Sequence, residues 1–301
     1  MHDSVTRMLE ALTLTPSTSL TSHTEASSPD TSNPPDTFTA PSIKMPHNRV
    51  YGGQVMAQAL LAATSTVEGD RAAHSLHGYF LRPGDDTQPI SFAVDRIHDG
   101  RSFSTRRTQA YQNSVPIFSM IASFQTHDEG LDHFEAAPVD IPLPETLPSP
   151  AELFANAPDP RAEYWANQRP FDIRYVNGPI YLSVEGPRVA HQAVWMRCLD
   201  SLPDDPALHQ AAIAYASDYS ILEPIYRRHG VPWTTPGLRA ASLDHAMWFH
   251  RNARADEWML YTQESPSAQG GRGLSLGKIF TLDGVLIASV AQEGTIRVPA
   301  K

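Results

Sequence analysis

The sequence predicts an α+β protein made of two tandem units, each an antiparallel sheet curled around one central helix. Three observations predict it. Residues 49–67 and 211–222 carry apolar or small residues almost all round at helical spacing, as a helix enclosed on most sides does. Each is accompanied by several strand-like runs. The two halves also look alike: "HSLHGYFLR" lies loosely over "ASLDHAMWFHR", with Ser75–Leu76 above Ser242–Leu243, and "NSVPIFSMIAS" over "DGVLIASVA", both about 170 residues apart. A repeated unit of one helix and one curled sheet is an α+β design.

The elements follow in order. Residues 5–14, "VTRMLEALTL", have the pattern of a short amphipathic helix, and 15–46 are crowded with Ser, Thr and Pro. Residues 1–46 are therefore expected to form a poorly ordered N-terminal extension. The N-terminal unit spans 47–127. A Gly-Gly entry opens its helix, and strands are expected at 74–81, 89–98, 101–112 and 115–125, with turns at "RPGDD" and "HDGR". Eight prolines in 128–170 mark a linker, with a short helix expected near 150–157. The C-terminal unit spans 171–298, with strand-like runs at 171–176, 191–199, 239–251, 257–266, 271–282 and 284–298.

The chain of 301 residues, 41% hydrophobic, is long enough to bury a core, and its net charge of −10 argues against nucleic acid or an anionic membrane as the main partner. An anionic small ligand remains compatible, because local basic residues can oppose the overall field. One cysteine, Cys198, excludes a disulfide framework and a cysteine zinc site, and its alternating surroundings suggest a packed thiol. No run approaches the length of a membrane span, and no secretory pattern opens the chain. The end "VPAK" falls short of a peroxisomal address of the S-K-L type, so a cytoplasmic location is expected.

Three polar residues stand where apolar ones are expected. Asp218 falls on the apolar face of the 211–222 helix, seven residues after Ala211 and four before Leu222. Ser242 opens a strand from an apparently core-facing position. Gln292 closes the run "VLIASVAQ" on the face of Leu286, Ala288 and Val290. A buried carboxylate, hydroxyl and amide are tolerated when they satisfy one another. Such a set can merely fix the fold. It can also orient one water beside an activated carbonyl, with helix N-terminal N–H groups near the start of the 211–222 helix as oxyanion donors.

At these residues the chain resembles the acyl-CoA thioesterase II family, over nearly everything from Arg49 to Val298. The stretches that carry the resemblance are "RVYGGQVMAQAL", "HSLHGYFLRPGD", "DGRSFSTRRTQAYQN", "PIFSMIASFQ", "YASDYSIL", "ASLDHAMWFHR" and "DGVLIASVAQEG". The resemblance implies a double hotdog fold and hydrolysis of acyl-CoA to fatty acid and CoA. It also implies catalytic roles for Asp218, Ser242 and Gln292 in organising the hydrolytic water, with no metal and no cofactor. A homo-oligomer, dimer or tetramer, and a peroxisomal alternative location are implied by relatives. The first half departs from the pattern: shifting Asp218 by the Ser242-to-Ser75 offset lands on Tyr51, beside Gly52 and Gly53, and His77 takes the place of Asp244. The first half is expected to lack its own water-activating acid and to shape the acyl pocket.

Other readings are open to the same residues. A non-catalytic acyl-CoA binder has no need for a water site. An enoyl-CoA hydratase or dehydratase on the same fold is expected to use His with Asp, and no buried His accompanies Asp218 by pattern. Ser242, Asp244 and His245 suggest a serine triad, but they are neighbours on a strand and no G-x-S-x-G elbow exists. "HDEGLDHFE" (127–135) reads as a solvated charge run rather than a metal site, and "GGRG" (270–273) as a hairpin turn rather than a phosphate loop. Arg82, Arg101, Arg251 and Arg272 are candidates for CoA phosphates without a distinguishing signal.

Overall fold

The computed structural model describes residues 1–17 and 35–299; residues 18–34, part of the Ser/Thr/Pro-rich extension, and 300–301 lie outside the described residues. The described parts of the extension hold one helix and two short strands. Helix α1 (Asp3–Leu12) buries Val5, Met8 and Leu12, spaced three and four apart on one face. Strand β1 (Thr15–Pro16) pairs with β2 (Asp36–Ala40).

Helix α2 (Gly52–Thr64) is buried along nearly its whole length. It lies against the strands β3 (Ala72–Phe80), β4 (Ile90–Asp99), β5 (Phe103–Gln112) and β6 (Val115–Gln125). The C-terminal end of α2 meets a buried cation. Arg106, 1% exposed, donates to the Thr66 hydroxyl and carbonyl and to Asp99 at 2.8, 3.1 and 2.7 Å. A positive group there complements the helix dipole.

The segment 128–170 holds a 3-10 turn at Pro144–Thr146, the short helix α3 (Pro150–Phe154) and a π turn at Tyr164–Gln168. Its acids dock it on the second unit: Asp132 pairs with Arg251, and Glu135 accepts from Lys278 at 2.7 Å. Among the described residues no group of three or more His, Cys, Asp or Glu side chains is placed to hold a metal.

The strands of the second unit are β7 (Phe171–Tyr175), β8 (His191–Cys198), β9 (Arg239–Ser242), β10 (Asp244–Phe249), β11 (Met259–Gln269), β12 (Arg272–Thr281) and β13 (Leu286–Arg297). Its long helix, α4 (Pro206–Ser217), is buried on most sides, and the shorter α5 (Glu223–His229) packs on β8 and β11. Gly270 and Gly271, both at positive φ, make the two-residue turn between β11 and β12. Cys198 is buried, and burial pushes its thiol up to about 11.

The two units join edge to edge. β3 pairs antiparallel with β10, with Gly78 opposite His245 and Leu76 opposite Met247, so one antiparallel sheet runs through both halves. His77 stands opposite Ala246 on this seam, its ring edge-on to Trp248. Inside, α2 and α4 pack in close contact, and the start of α2 meets the end of α4. The Tyr51 hydroxyl donates to the Tyr215 carbonyl at 2.9 Å, and a Cβ on Gly53 would stand 2.2 Å from that same oxygen. Glycine is required there because two helix backbones touch. Among the described residues no helix is long and apolar enough to cross a membrane.

Candidate active site

The helix expected over 211–222 is displaced. α4 starts at Pro206, capped by Asp205 accepting from the Ala207 N–H at 2.9 Å, and stops at Ser217. The chain turns at 218–222, and α5 then starts with Pro224 in its first turn, where a missing N–H leaves no helical bond unmade. Asp218 is therefore the C-terminal cap of α4 (φ −82°, ψ −9°), not a residue inside a helix. At the end of the helix its carboxylate can leave the apolar face and reach the other unit.

Asp218, Ser242 and Gln292 meet there. Asp218 Oδ1 accepts from Gln292 Nε2 at 3.0 Å and from the Ser242 hydroxyl at 3.4 Å. Gln292 Nε2 also donates to Ser242 Oγ at 2.9 Å. Asp218 Oδ2 accepts from the backbone N–H of Gly53 at 2.9 Å. The N-terminus beside the acid is thus that of α2. The expected donors at the start of α4 are one helix length away, about 18 Å for twelve residues. Tyr51 is likewise no counterpart of Asp218: as the residue before α2 it belongs to the same site, its ring stacked on Tyr219 at 4.8 Å. The first-unit counterpart of Asp218 is Ser65, the C-terminal cap of α2.

Strict alternation misplaces the strand that carries Ser242. Ser242 pairs with Gly294 while Ala246 pairs with Ala291, so the register slips by one residue around Leu243. Alternation puts His245, Met247 and Phe249 on the face opposite Ser242; the bulge lets that face be buried while Ser242 still lines the cavity, and Asp244 accepts from the Glu293 N–H at 2.7 Å. His245 is a buried histidine that the pattern did not reveal. It bonds Gln292 Oε1 through Nδ1 and meets the Ser217 hydroxyl through Nε2 at 3.0 Å. Neither Asp244 nor His245 bonds Ser242, so no serine triad forms.

The polarity of this chain of bonds follows from its acid end. Ionised Asp218 only accepts, so Gln292 turns its NH2 toward it and its carbonyl toward His245. With its proton on Nδ1 toward Gln292, His245 offers Nε2 as an acceptor to the Ser217 hydroxyl, whose single proton also has the Ala214 carbonyl within reach at 2.8 Å. Burial holds the imidazole down to about 4, so it is neutral at pH 7, with one N–H to place. Asp218 is pushed up to about 6 by burial, against the pull of Gln292, the Gly53 N–H and Ser242. It is half-buried because its open side faces a cavity rather than bulk solvent.

That cavity, about 540 Å³, is lined by Asp218, Ser242 and Gln292, by Gly52 at the start of α2, and by the rings of Tyr51 and Tyr219. Of the four arginines that the sequence offers for CoA, only Arg82 lines it, and it is exposed, as are its neighbours Arg49 and Arg161. Arg251 is paired with Asp132 and Arg272 with Glu293.

Two family models match this chain: "Acyl-CoA thioesterase N-terminal domain" over residues 39–125 and "Acyl-CoA thioesterase" over residues 167–295. The acyl-CoA thioesterase 2 of Haemophilus influenzae is 36% identical over 86% of this chain and 92% of its own. The chain belongs to the acyl-CoA thioesterase family. The crystal structure of an acyl-CoA thioesterase II from Mycobacterium marinum is 40% identical and superposes with a TM-score of 0.75, covering 97% of this chain and 99% of that one. A hot dog fold protein from Alicyclobacillus acidocaldarius, 18% identical, covers 98% of this chain and 99% of its own with a TM-score of 0.75, a likeness of fold. The α+β double hotdog expected from the sequence is the fold of this thioesterase-family chain.

Proposed function

We propose that this family member hydrolyses acyl-CoA to a free fatty acid and CoA by direct attack of water. Asp218 is the general base: it takes a proton from a water as the water oxygen bonds to the thioester carbon. Ser242 and Gln292 hold the carboxylate and the water in line. Gly52, the first residue of α2, lines the cavity at the positive end of the helix dipole, and its backbone N–H is the donor assigned here to the oxyanion. Collapse of the tetrahedral intermediate breaks the C–S bond, and the thiolate leaves with the proton returned from Asp218. A thioester is already activated, so positioning and polarisation suffice without a metal or an acyl-enzyme.

The observation that carries this reading is one carboxylate bonded by Gln292, Ser242 and the α2 N-terminus on the wall of a cavity. His245 does not line the cavity, which speaks against a His-dependent hydratase. The C-terminal unit supplies the three side chains and the N-terminal unit the helix end. A cytoplasmic location and assembly as a homo-oligomer belong to the same proposal. Thiol release from butyryl- through stearoyl-CoA tests it. Turnover supports the reading, whereas binding without thiol release establishes a binder instead.

A further inference from the structure

We infer that Arg49 and Arg82, on two joined loops of the N-terminal unit, hold the phosphate groups of CoA at the rim of the cavity. The inference rests on the thioesterase reading and names the part of the site that grips the charged end of the substrate. Four arginines line the cavity: Arg49, Arg82, Arg161 and Arg169. Arg169 is buried, and Arg161 is turned onto Asp159, its Nη2 donating to the carboxylate at 2.7 Å. Arg49 and Arg82 are exposed, and neither is ion-paired with an acid among the described residues. Arg82 uses Nη1 on the Pro116 carbonyl at 2.9 Å, which aims the side chain and leaves its other N–H groups to solvent.

The acids of the same loops are already occupied. Asp86 is buried and accepts from Lys44 and from the Met45 N–H, both at 2.7 Å. Asp85 accepts from the N–H and the hydroxyl of Thr87 at 2.9 and 2.7 Å. The rim therefore carries two guanidinium groups without a carboxylate partner, on a chain whose net charge is −10. A polyanionic substrate approaching such a chain needs a local field of opposite sign. A guanidinium also grips phosphate oxygens through two parallel bonds, which a lysine cannot do.

The loops are fastened so that the two side chains stand ready. The Val50 N–H donates to the Gly84 carbonyl at 2.9 Å and joins one loop to the other. Gln112 fastens the second loop: its Oε1 accepts from the Asp85 N–H at 2.7 Å, and its Nε2 donates to the Asp85 and Gln88 carbonyls at 2.8 and 3.0 Å. Asn48, at φ 55°, makes the left-handed turn just before Arg49, a conformation that Asn tolerates. A rim ordered before the substrate arrives loses less entropy on binding.

The position suits the nucleotide end of the substrate. Arg49 stands three residues before Gly52, a span of at most about 10 Å, and Arg82 follows two residues after Phe80, whose ring lies against Gly52. The pantetheine arm bridges from the thioester beside Gly52 to phosphates at the exposed rim. The acyl chain then has the aromatic wall of Tyr164, Trp165 and Trp233, which the linker and the second unit supply.

The test measures kcat and KM for an acyl-CoA of the preferred chain length and for the matching acyl-pantetheine, which lacks every phosphate. Full-length wild type, Arg49→Gln and Arg82→Gln are compared. Each substitution is expected to raise the KM for the acyl-CoA about tenfold with kcat nearly unchanged, and to leave kcat/KM for the acyl-pantetheine within about twofold. Higher ionic strength should raise the acyl-CoA KM of the wild type and much less that of the double variant. Equal losses on both substrates overturn the inference, as does an unchanged acyl-CoA KM in either variant. If no substrate releases thiol, the thioesterase reading fails, and calorimetric titration with CoA itself still decides. Binding about tenfold weaker in each variant supports the arginine rim, and equal binding overturns it.

Discussion

Replacing Asp218 by Asn leaves the shape of the site and removes its charge, so it separates chemistry from packing. Two donors face the carboxylate from opposite sides, the Gly53 N–H on Oδ2 and Gln292 Nε2 on Oδ1. An amide offers one acceptor oxygen, so one of these donors loses its partner, and the base is gone. A general base contributes about 10²- to 10⁴-fold, and kcat should fall by that amount. The pH dependence gives a second reading. With the carboxyl pushed up to about 6, wild-type kcat/KM should fall about tenfold per pH unit below 6 and level off above 7. Stability runs the other way. The folded-state value lies above the ordinary 3.8, so the favourable contribution is complete below about 4 and lost as pH rises through 6. At about 1.4 kcal/mol per pH unit the wild type loses at most about 3 kcal/mol over that window, and less where water enters the cavity. The amide of the Asp218→Asn variant cannot titrate, so denaturant midpoints of the two proteins should converge as pH falls or cross as it rises. A stability difference that does not change between pH 4 and pH 8, together with full activity of the variant, would refute the assignment of Asp218 as a buried base.

Three further outcomes follow from the same geometry. Gly53→Ala forces a Cβ against the Tyr215 carbonyl, at 2.2 Å without movement; it should cost about 3 kcal/mol in thermal unfolding and nearly all activity, because α2 must retreat from Asp218. His245→Ala frees Gln292 to rotate, and kcat should drop about tenfold or more with little change in KM; His245→Asn, which keeps an N–H for Gln292 Oε1, should recover part of it, and equal kcat in all three proteins would contradict the bond polarity that runs from Asp218 through Gln292 to His245. Arg106→Met leaves the end of α2 without its cation and should lower stability by about 3 kcal/mol in urea, with the KM for acyl-CoA nearly unchanged.

Much was legible in the chain because local pattern carries it. The apolar helices, the strand runs and the Gly270–Gly271 hairpin follow from periodicity and turn chemistry, and tertiary packing agrees with them. Asp218, Ser242 and Gln292 stood out as polar groups in apolar company, and the structure brings all three within hydrogen-bonding distance. Boundaries were harder. Asp205–Pro206 carries an N-cap signal and Pro224 the signal of a new first turn, yet continuous small apolar residues masked both.

The sequence by itself determined the repeated helix-and-sheet unit, the family, and which polar side chains need one another, since periodicity and desolvation act residue by residue. Only the tertiary structure decided that Asp218 caps a helix and is met by the start of the other unit's helix. That contact depends on how two helices from different units pack, and on a glycine with no room for a Cβ. It also decided that His245 turns inward. A one-residue slip in pairing reverses every face after it, and the slip is set by the partner strand rather than by the strand that carries the residue.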